Sequence, residues 1–222
     1  MKPHQLSGLA LFVLAIFLLV PNSSADGTSY GMPTDVNSTA KYLFFHHNYY
    51  VETKGTDGDC KYYDILKSFS DRGYTVISEI RPKDVSVVEY AKSAAERVQK
   101  LLDAGVPQEN ITVAGHSKGG IITIRVASLL EKPKINYVVL AGCGIKALEK
   151  GYPDFAGLKG NFLSIYANSD KIAGSCRAEF AKAGEGFSGK ELELESPSGH
   201  QLFFKPADLW VEPMIGWLKP PL

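Results

Sequence analysis

The sequence has no excess of charge of either sign. Of its 222 residues, 24 are Lys or Arg and 24 are Asp or Glu, so the formal net charge at neutral pH is zero. Proteins that bind nucleic acids need a strong positive excess on one face, because the phosphate backbone is negative. The charge balance therefore argues against a polyanion-binding protein, and no nucleic-acid partner is expected.

Cysteine is scarce as well. Cys60, Cys143 and Cys176 are far apart in the chain and form no C-x-x-C pair of the kind found in zinc sites. His46 and His47 are adjacent, but neighbouring residues of a strand point to opposite faces, and no third ligand lies nearby in the sequence. We therefore expect neither a metal nor another cofactor.

The N-terminal segment has the pattern of a secretory signal peptide. An apolar run from Leu6 to Val20 is followed by small residues at Ser23 and Ala25. This pattern predicts cleavage after Ala25, which makes residues 1–25 a signal peptide and residues 26–222 one secreted or periplasmic domain. An uncleaved anchor is the alternative, although the run is shorter than the ~20 residues that span a bilayer. After cleavage, no stable membrane insertion is expected.

The rest of the chain alternates between strand-like and helix-like segments. Short apolar or β-branched runs predict strands at residues 41–47, 74–80, 111–114, 135–141, 161–167 and 190–195. Apolar residues at helical spacing predict helices at residues 60–72, 86–104, 121–130, 176–183 and 207–218. The alternation predicts an α/β fold with a doubly wound, mostly parallel sheet flanked by helices. In such a sheet the functional groups gather beyond the carboxyl ends of the strands.

Residues 115–119, Gly-His-Ser-Lys-Gly, match the G-x-S-x-G pattern of a nucleophile elbow. The elbow holds its serine in a strained turn between a strand and a helix, and the flanking glycines remove side chains that would collide there. A predicted strand precedes the motif and a predicted helix follows it. Ser117 is therefore the candidate nucleophile, and a glycine-rich turn without a catalytic serine is the alternative.

A nucleophilic serine needs a histidine base, and the histidine needs a carboxylate to orient it. In this fold the chain order is Ser, acid, His. Asp170 comes two residues beyond the predicted strand at residues 161–167, and His200 follows the last predicted strand. Asp170 and His200 are therefore the candidate acid and base. Asp154, in a turn without a preceding strand, is the alternative acid.

The transition state also requires hydrogen-bond donors for a developing oxyanion. We expect one donor to be the backbone N–H of Lys118, which follows the nucleophile at a helix N-terminus. The second should be the N–H of Asn48 or Tyr49, in the loop after the first strand. The side chains of Glu52 and Lys118 are expected to be exposed charges, with contact to substrate as the alternative for Glu52.

The segment at residues 142–160, between two predicted strands, is only nineteen residues long. A helical cap domain does not fit into this length. We therefore expect an open, shallow pocket lined by Tyr49, Tyr50 and residues near Cys143. Such a pocket favours short acyl groups over long lipids.

Export to an oxidising compartment permits a disulfide. Cys143 and Cys176 each follow one of two sequential strands, and sequential strands are usually neighbours in the sheet. Both thiols should then lie at the same carboxyl edge. A disulfide between Cys143 and Cys176 is predicted, with Cys60 left free.

The chain resembles the α/β-hydrolase superfamily from about Tyr42 to Trp217. It is most similar to small secreted or cell-envelope members whose first strand ends in a His-Gly turn and whose elbow reads G-x-S-K-G-G, as residues 115–120 do here. It departs from that pattern in having His47-Asn48 where the family usually has His-Gly. Asn tolerates unusual backbone angles better than most residues.

The resemblance implies a minimal α/β-hydrolase fold without a cap domain. It makes Ser117 the nucleophile, Asp170 the acid, His200 the base and Lys118 an oxyanion donor. The implied reaction is hydrolysis of a carboxylic ester or related acyl bond in a small molecule. Two alternatives remain open: a catalytically silent binding module of the same fold, and a peptidase or acyltransferase that uses the same three residues.

Overall fold

The computed structural model describes residues 30–218, and the signal peptide expected at residues 1–25 lies outside them. Six strands form one sheet: β1 (Lys41–His46), β2 (Tyr74–Ile77), β3 (Ile111–His116), β4 (Asn136–Leu140), β5 (Gly160–Ala167) and β6 (Phe187–Leu194). Six α-helices flank or connect them within the described residues: α1 (Tyr49–Lys54), α2 (Tyr62–Ser70), α3 (Val87–Asp103), α4 (Lys118–Leu130), α5 (Arg177–Phe180) and α6 (Asp208–Leu218).

The strand order is β2-β1-β3-β4-β5-β6, and every neighbouring pair is parallel. The predicted α/β fold with a parallel, helix-flanked sheet is confirmed. The chain runs outward from β1 to β2 and then returns past β1 to β3, so the order reverses between β1 and β3. Ligands of open parallel sheets bind at such a reversal, beyond the carboxyl ends of the strands. This places the expected site where β1 and β3 end.

The largest helices bury the faces that the sequence pattern predicts. Helix α3 begins after Ser86, whose hydroxyl accepts the N–H of Glu89, and its apolar face includes Ala94, Val98 and Leu101, which are fully buried. Helix α4 is buried over most of its length and packs on β1, β3 and β4. Because α4 is anchored in this way, its N-terminus is held rigidly at the end of β3.

Five segments differ from the sequence expectation. Residues 49–54, expected to be a loop, form α1, which is too short to show a helical period; its visible signal is Asn48, whose side chain accepts the N–H of Val51. Strand β2 ends at Ile77 rather than residue 80, and β6 begins at Phe187 rather than residue 190. Helix α4 begins at Lys118 rather than residue 121. The sequence pattern misses its first turn because two glycines there interrupt the helical spacing of apolar residues. The helix expected at residues 176–183 is a single turn.

The predicted disulfide is confirmed. Cys143 and Cys176 are bonded, with their Cα atoms 5.2 Å apart, and Cys60 is free and buried. The N–H of Gly174 also donates to the carbonyl oxygen of Cys143 at 3.0 Å. The loop after β5 is therefore fixed to the end of β4 by one covalent and one hydrogen bond.

Within residues 30–218, no helix combines the length and apolar character needed to cross a membrane.

Candidate active site

Ser117 lies at the turn between β3 and α4, in a backbone conformation that side-chain-bearing residues rarely adopt. Its φ is +57° and its ψ is −119°. A Cβ atom at Gly115 would collide with the carbonyl group of Gly119, and one at Gly119 would collide with the carbonyl oxygen of His46. The turn therefore requires both motif glycines: Gly115 so that the turn can close on itself, and Gly119 so that it can pass this close to β1. Strain of this kind in a non-glycine residue points to a functional position.

The side chains of Ser117, His200 and Asp170 form a continuous hydrogen-bonded chain. The Oγ atom of Ser117 lies 2.8 Å from Nε2 of His200, and Nδ1 of His200 lies 2.8 Å from Oδ2 of Asp170. A carboxylate only accepts hydrogen bonds, so Nδ1 carries the ring proton and Nε2 is left to accept the serine proton. The structure thus brings the three sequence-predicted residues together in the geometry of a nucleophile, base and acid.

Asp170 is placed by the turn that follows β5. Its second oxygen, Oδ1, accepts the N–H groups of Ile172 at 2.8 Å and Ala173 at 3.0 Å, and the side chain is fully buried. The alternative acid, Asp154, instead accepts the N–H of Ala156 at the start of a short 3₁₀ turn. The carboxylate that contacts His200 is that of Asp170.

His200 lies in a 3₁₀ helix at Gly199–Phe204, and its ring packs on that of His116 with centroids 4.8 Å apart. Burial, and secondarily the nearby His200, hold the pKa of His116 well below its usual range. His116 therefore stays neutral and packs against the ring of His200. The Nδ2 atom of Asn48 donates to Nδ1 of His116 at 3.0 Å.

The loop after β1 brings Asn48 and Tyr49 to the same cavity as Ser117. The side chain of Asn48 is already engaged: Oδ1 caps α1, and Nδ2 contacts both His116 and Sγ of Cys60. Its backbone carbonyl is also engaged, by His47 and Arg81, so the backbone N–H is the group left to act on a ligand. Lys118 is the first residue of α4, so its N–H is one of the helix-start groups that lack an intrahelical partner.

A cavity of about 580 Å³ opens beside Ser117. Its lining is mainly apolar: Asn48, Tyr49, Tyr50, Thr53, Ser117, Ile145, Ala147, Leu148, Ile172, His200, Gln201 and Phe204. Tyr49 and Ile172 are 48% and 56% exposed, which is high for large apolar side chains. Apolar groups exposed at the mouth of a pocket are typical of a ligand-binding site.

Tyr50 lines this cavity as expected, and so does a residue near Cys143, but Cys143 itself, also expected to line the pocket, does not. The Cys143 side chain is fully buried because it is bonded to Cys176. Ile145, two residues further along the same loop, lines the cavity instead.

A second cavity, also of about 580 Å³, shares Gln201 and Phe204 with the first. Its other lining residues are more polar: Asp59, Lys61, Ser198, Leu202, Lys205 and Ala207. Phe204 and Tyr50 pack against each other where the two cavities meet, with ring centroids 5.1 Å apart. The site therefore has an apolar side and a polar side.

The expectation that Glu52 and Lys118 are exposed charges is wrong. The side chain of Glu52 is fully buried and bridges two cations: Oε1 lies 2.7 Å from Nζ of Lys118, and Oε2 lies 3.3 Å from Nε of Arg81. The Arg81 side chain is also fully buried, and that of Lys118 is 6% exposed. The sequence does not reveal this group. Its members are far apart in the chain, and Arg81 has no distinguishing feature there beyond following the predicted strand at residues 74–80.

His47 is a buried neutral group within this loop. Its Nδ1 donates to the carbonyl oxygen of Asn48 at 2.8 Å, and its Nε2 accepts the N–H of Arg81 at 2.9 Å. Burial, and next the charge of Arg81, lower the pKa of His47 to about 3. Among residues 30–218, no group of three His, Cys, Asp or Glu side chains is arranged to hold a metal ion.

No protein-family model matches this chain, and no curated protein sequence matches it. Many solved structures share its fold. SOBER1 from Arabidopsis thaliana aligns with a TM-score of 0.54 at 13% identity, over 80% of this chain and 97% of that one. The esterase domain of a Rhodothermus marinus protein gives 0.55 at 15% identity, over 89% and 95%. Est1E from Butyrivibrio proteoclasticus gives 0.55 at 13% identity, over 85% and 89%. The chain has the α/β-hydrolase fold.

Proposed function

We propose that this protein is a secreted or periplasmic serine hydrolase that cleaves a carboxylic ester or related acyl bond. The observation that carries the proposal is the chain of two 2.8 Å contacts from Ser117 through His200 to Asp170. It lies beside an apolar cavity at the reversal of strand order, where this class of fold binds its ligands. The similarity to an esterase domain and to Est1E supports an ester as the substrate.

The geometry supports a two-step reaction. Oγ of Ser117 attacks the acyl carbon while Nε2 of His200 takes the hydroxyl proton, and the negative carboxylate of Asp170 stabilises the imidazolium that forms. The oxyanion of the tetrahedral intermediate accepts hydrogen bonds from the backbone N–H of Lys118 and from that of Asn48 or Tyr49. His200 then gives its proton to the departing alcohol, which leaves an acyl group on Ser117. Water, activated by His200 in the same way, releases the acid and restores the serine.

The two cavities support an orientation for the substrate. The acyl group fits the apolar cavity, which has the size and composition of a small-molecule site. The alcohol is placed towards the polar cavity, because this cavity adjoins the apolar one at Gln201, the residue that follows His200 in the chain. Lys61 and Lys205 outnumber Asp59 there, so an alcohol with a negative substituent is favoured.

Labelling with a fluorophosphonate tests the proposal directly. Such a probe phosphonylates an activated serine, and peptide mapping of the purified protein should find the adduct on Ser117. The Ser117→Ala variant should not be labelled. Ser128→Ala is a matched control, because Ser128 lies on the same helix and its hydroxyl only donates to the carbonyl of Arg125.

The same experiment separates the competing functions. Absence of labelling in folded protein would support the silent binding module and contradict the proposal. Labelling followed by turnover of peptide amides, or by acyl transfer to an added alcohol in preference to water, would support a peptidase or an acyltransferase. Turnover of simple esters with water as the acceptor is the expected result.

A further inference from the structure

The buried ionic group of Glu52, Arg81 and Lys118 lies directly behind the loop that carries the proposed oxyanion donors. Two cations share one anion, and all three side chains are almost fully removed from solvent. Burying charges is costly, and well-packed apolar residues often replace a buried ion pair without loss of stability. Stability alone is therefore a poor explanation for this group, and its hydrogen bonds to the backbone point to another role.

Arg81 holds the carbonyl oxygens of two successive peptide groups. Its Nη2 donates to the carbonyl oxygen of His47 and, at 3.3 Å, to that of Asn48. The imidazole of His47 donates to the Asn48 carbonyl as well, and it accepts the backbone N–H of Arg81. Both carbonyl groups are thus fixed on the side of the buried guanidinium.

Fixing these carbonyls fixes the directions of two N–H groups. The described chain has no cis peptide bond, and a trans peptide group points its N–H away from its own C=O. The carbonyl of His47 shares a peptide group with the N–H of Asn48, and the carbonyl of Asn48 shares one with the N–H of Tyr49. Arg81 therefore turns the N–H groups of Asn48 and Tyr49 away from itself, and these are the two candidate donors of this loop.

Glu52 and Lys118 connect this loop to the other donor. Glu52 belongs to α1, which begins at Tyr49, while Lys118 begins α4 and supplies the remaining oxyanion N–H. Their ion pair joins the two elements at 2.7 Å, and Nζ of Lys118 also donates to the carbonyl oxygen of Val85 at 2.9 Å. The same ammonium group lies 5.5 Å from the ring centroid of Tyr49 at the cavity mouth.

We propose that Glu52, Arg81 and Lys118 form a positioning cluster for the oxyanion hole of the proposed hydrolase. The inference rests on the proposed function. The side chains act through the peptide groups of Asn48, Tyr49 and Lys118 and do not touch the substrate. The cluster also has a formal excess of one positive charge behind the site, and a fixed charge in a dry environment favours the negative oxygen that develops during the reaction.

The test compares binding of a transition-state analogue with binding of the ground state. Arg81→Lys keeps the charge but loses the fork that holds Glu52 through Nε and the two carbonyl oxygens through Nη2. Lys118→Met removes the ion pair with Glu52 while leaving the Glu52–Arg81 pair. For 4-nitrophenyl acetate, we expect kcat to fall about a hundredfold in each variant, the lower end of the loss from removing one oxyanion donor, with KM nearly unchanged. The affinity for an aryl trifluoromethyl ketone, which forms an anionic adduct with the serine, should fall by the same factor as kcat/KM.

Arg97→Gln provides the matched control. Arg97 is paired with Glu79 at 2.6 Å and lies over the same ring as Arg81, that of Tyr90, at 5.6 Å compared with 5.4 Å for Arg81. Its loss should lower the midpoint of thermal unfolding without changing the affinity for the ketone. An equal loss of ketone affinity in Arg97→Gln would show a general structural effect and overturn the inference.

The outcomes for the cluster and for the hydrolase are distinct. If the wild type is labelled at Ser117 and both folded variants bind the ketone as tightly as it does, the cluster has no positioning role and the proposed function stands. If the wild type is neither labelled nor binds the ketone, the proposed function fails and this inference fails with it. Should Arg81→Lys not fold, Lys118→Met decides, because it leaves the buried Arg81 with its carboxylate partner.

Discussion

The carboxylate of Asp170 meets the imidazole of His200 with only one of its two oxygens, at 2.8 Å, because backbone N–H groups occupy the other. The backbone N–H groups hold the carboxylate in place through Oδ1, so Oδ2 is the oxygen that accepts from His200. This contact keeps the ring proton of His200 on Nδ1. Asp170→Asn should preserve the fold but lower kcat for an activated ester by about 10³–10⁴-fold, since the amide favours the wrong tautomer. Steady-state kinetics and circular dichroism of the purified variant check this.

Asp154→Asn is the control for that variant, because Asp154 caps a distant turn and should be dispensable for turnover. Full activity in Asp170→Asn, or a comparable loss in Asp154→Asn, would mean that a different carboxylate orients the base.

Much of this site is encoded in short, local sequence patterns. The strand, the five-residue motif and the helix around Ser117 are contiguous, and the acid and the base each follow a recognisable strand. A parallel sheet then brings the ends of those strands together, so the convergence of Ser117, Asp170 and His200 follows from topology. The pairing of Cys143 with Cys176 was predictable for the same reason, since β4 and β5 are neighbours.

The buried ionic group was not predictable in this way. Glu52 lies 29 residues from Arg81 and 66 from Lys118, and no periodicity connects them. Its burial depends on α1, a helix of six residues that is too short to leave an amphipathic pattern. A charged residue in a short polar segment is usually exposed, and only the three-dimensional contacts show that Glu52 is not.

The acyl-chain preference should be for short chains. The apolar cavity is bounded by Leu148 and Ile172, and the nineteen residues between β4 and β5 form only 3₁₀ turns among irregular chain. Among 4-nitrophenyl esters from acetyl to palmitoyl, kcat/KM should be highest at the short end. Leu148→Ala should move the optimum to longer chains by widening the cavity. Leu129→Ala, on the exposed side of α4, is the control and should leave the profile unchanged. Activity that rises steeply towards palmitoyl would contradict this assignment.

Reduction of the disulfide should impair catalysis before it unfolds the domain. The bond joins residues separated by 33 positions, and the chain-entropy model gives such a link a stabilisation of about 3–4 kcal/mol. It also fixes the loop that carries Asp170. The Cys143→Ser, Cys176→Ser double variant should therefore have a lower kcat than the wild type at temperatures where its far-ultraviolet circular dichroism spectrum is still that of the folded protein.

Some anchoring of that loop remains in the double variant. The backbone N–H of residue 176 donates to the carboxylate of Glu191 at 2.6 Å, and a change of side chain at this position does not remove that bond. A partial loss of kcat is therefore expected rather than inactivation. Cys60→Ala is the control: it removes the free thiol, and its activity should still fall on treatment with dithiothreitol. Loss of activity that coincides with global unfolding would argue against a specific role for the bond.

The buried histidines should make the protein sensitive to acid. Burial, followed by the charge of Arg97, holds the pKa of His46 well below its usual range, and the pKa of His47 is about 3. In the unfolded chain both titrate near 6.5, so between about pH 6.5 and pH 3 the unfolded state binds more protons than the folded one. The free energy of unfolding must then fall as the pH is lowered through this window.

The His46→Phe variant isolates the contribution of His46 to this pH dependence of the unfolding free energy. The His46 ring packs edge-on against Tyr90, with centroids 5.7 Å apart, and a phenyl ring can keep that contact. The groups whose charges act on His46 are Arg97, Arg81 and His47. Removing one buried histidine should flatten the dependence of unfolding free energy on pH by up to about 1.4 kcal/mol per pH unit within this window. Urea denaturation at pH 7 and pH 5 measures the slopes, and identical slopes in variant and wild type would refute the argument.

The polar cavity should determine which alcohol portion of the substrate is preferred. Lys61 and Lys205 line the polar cavity, which shares Gln201 and Phe204 with the cavity beside Ser117, together with the single carboxylate of Asp59. If the alcohol lies there, 4-acetoxybenzoate should be a better substrate than its neutral methyl ester, because only the first has a negative group for the lysines. The double variant Lys61→Ala, Lys205→Ala should lower kcat/KM for the anionic ester several-fold, as expected for exposed charges, and leave the neutral ester unchanged.

Salt gives a second measurement of the same effect, since exposed charges are screened as ionic strength rises. The advantage of the anionic ester in the wild type should shrink between low and high sodium chloride, and the double variant should show little of it at any concentration. Lys190→Ala is the matched control, because Lys190 is exposed on the edge strand and lines neither cavity. Equal turnover of the two esters by the wild type at low salt would place the alcohol elsewhere, while leaving the proposed acyl cavity and the proposed catalytic roles of Ser117, Asp170 and His200 unaffected.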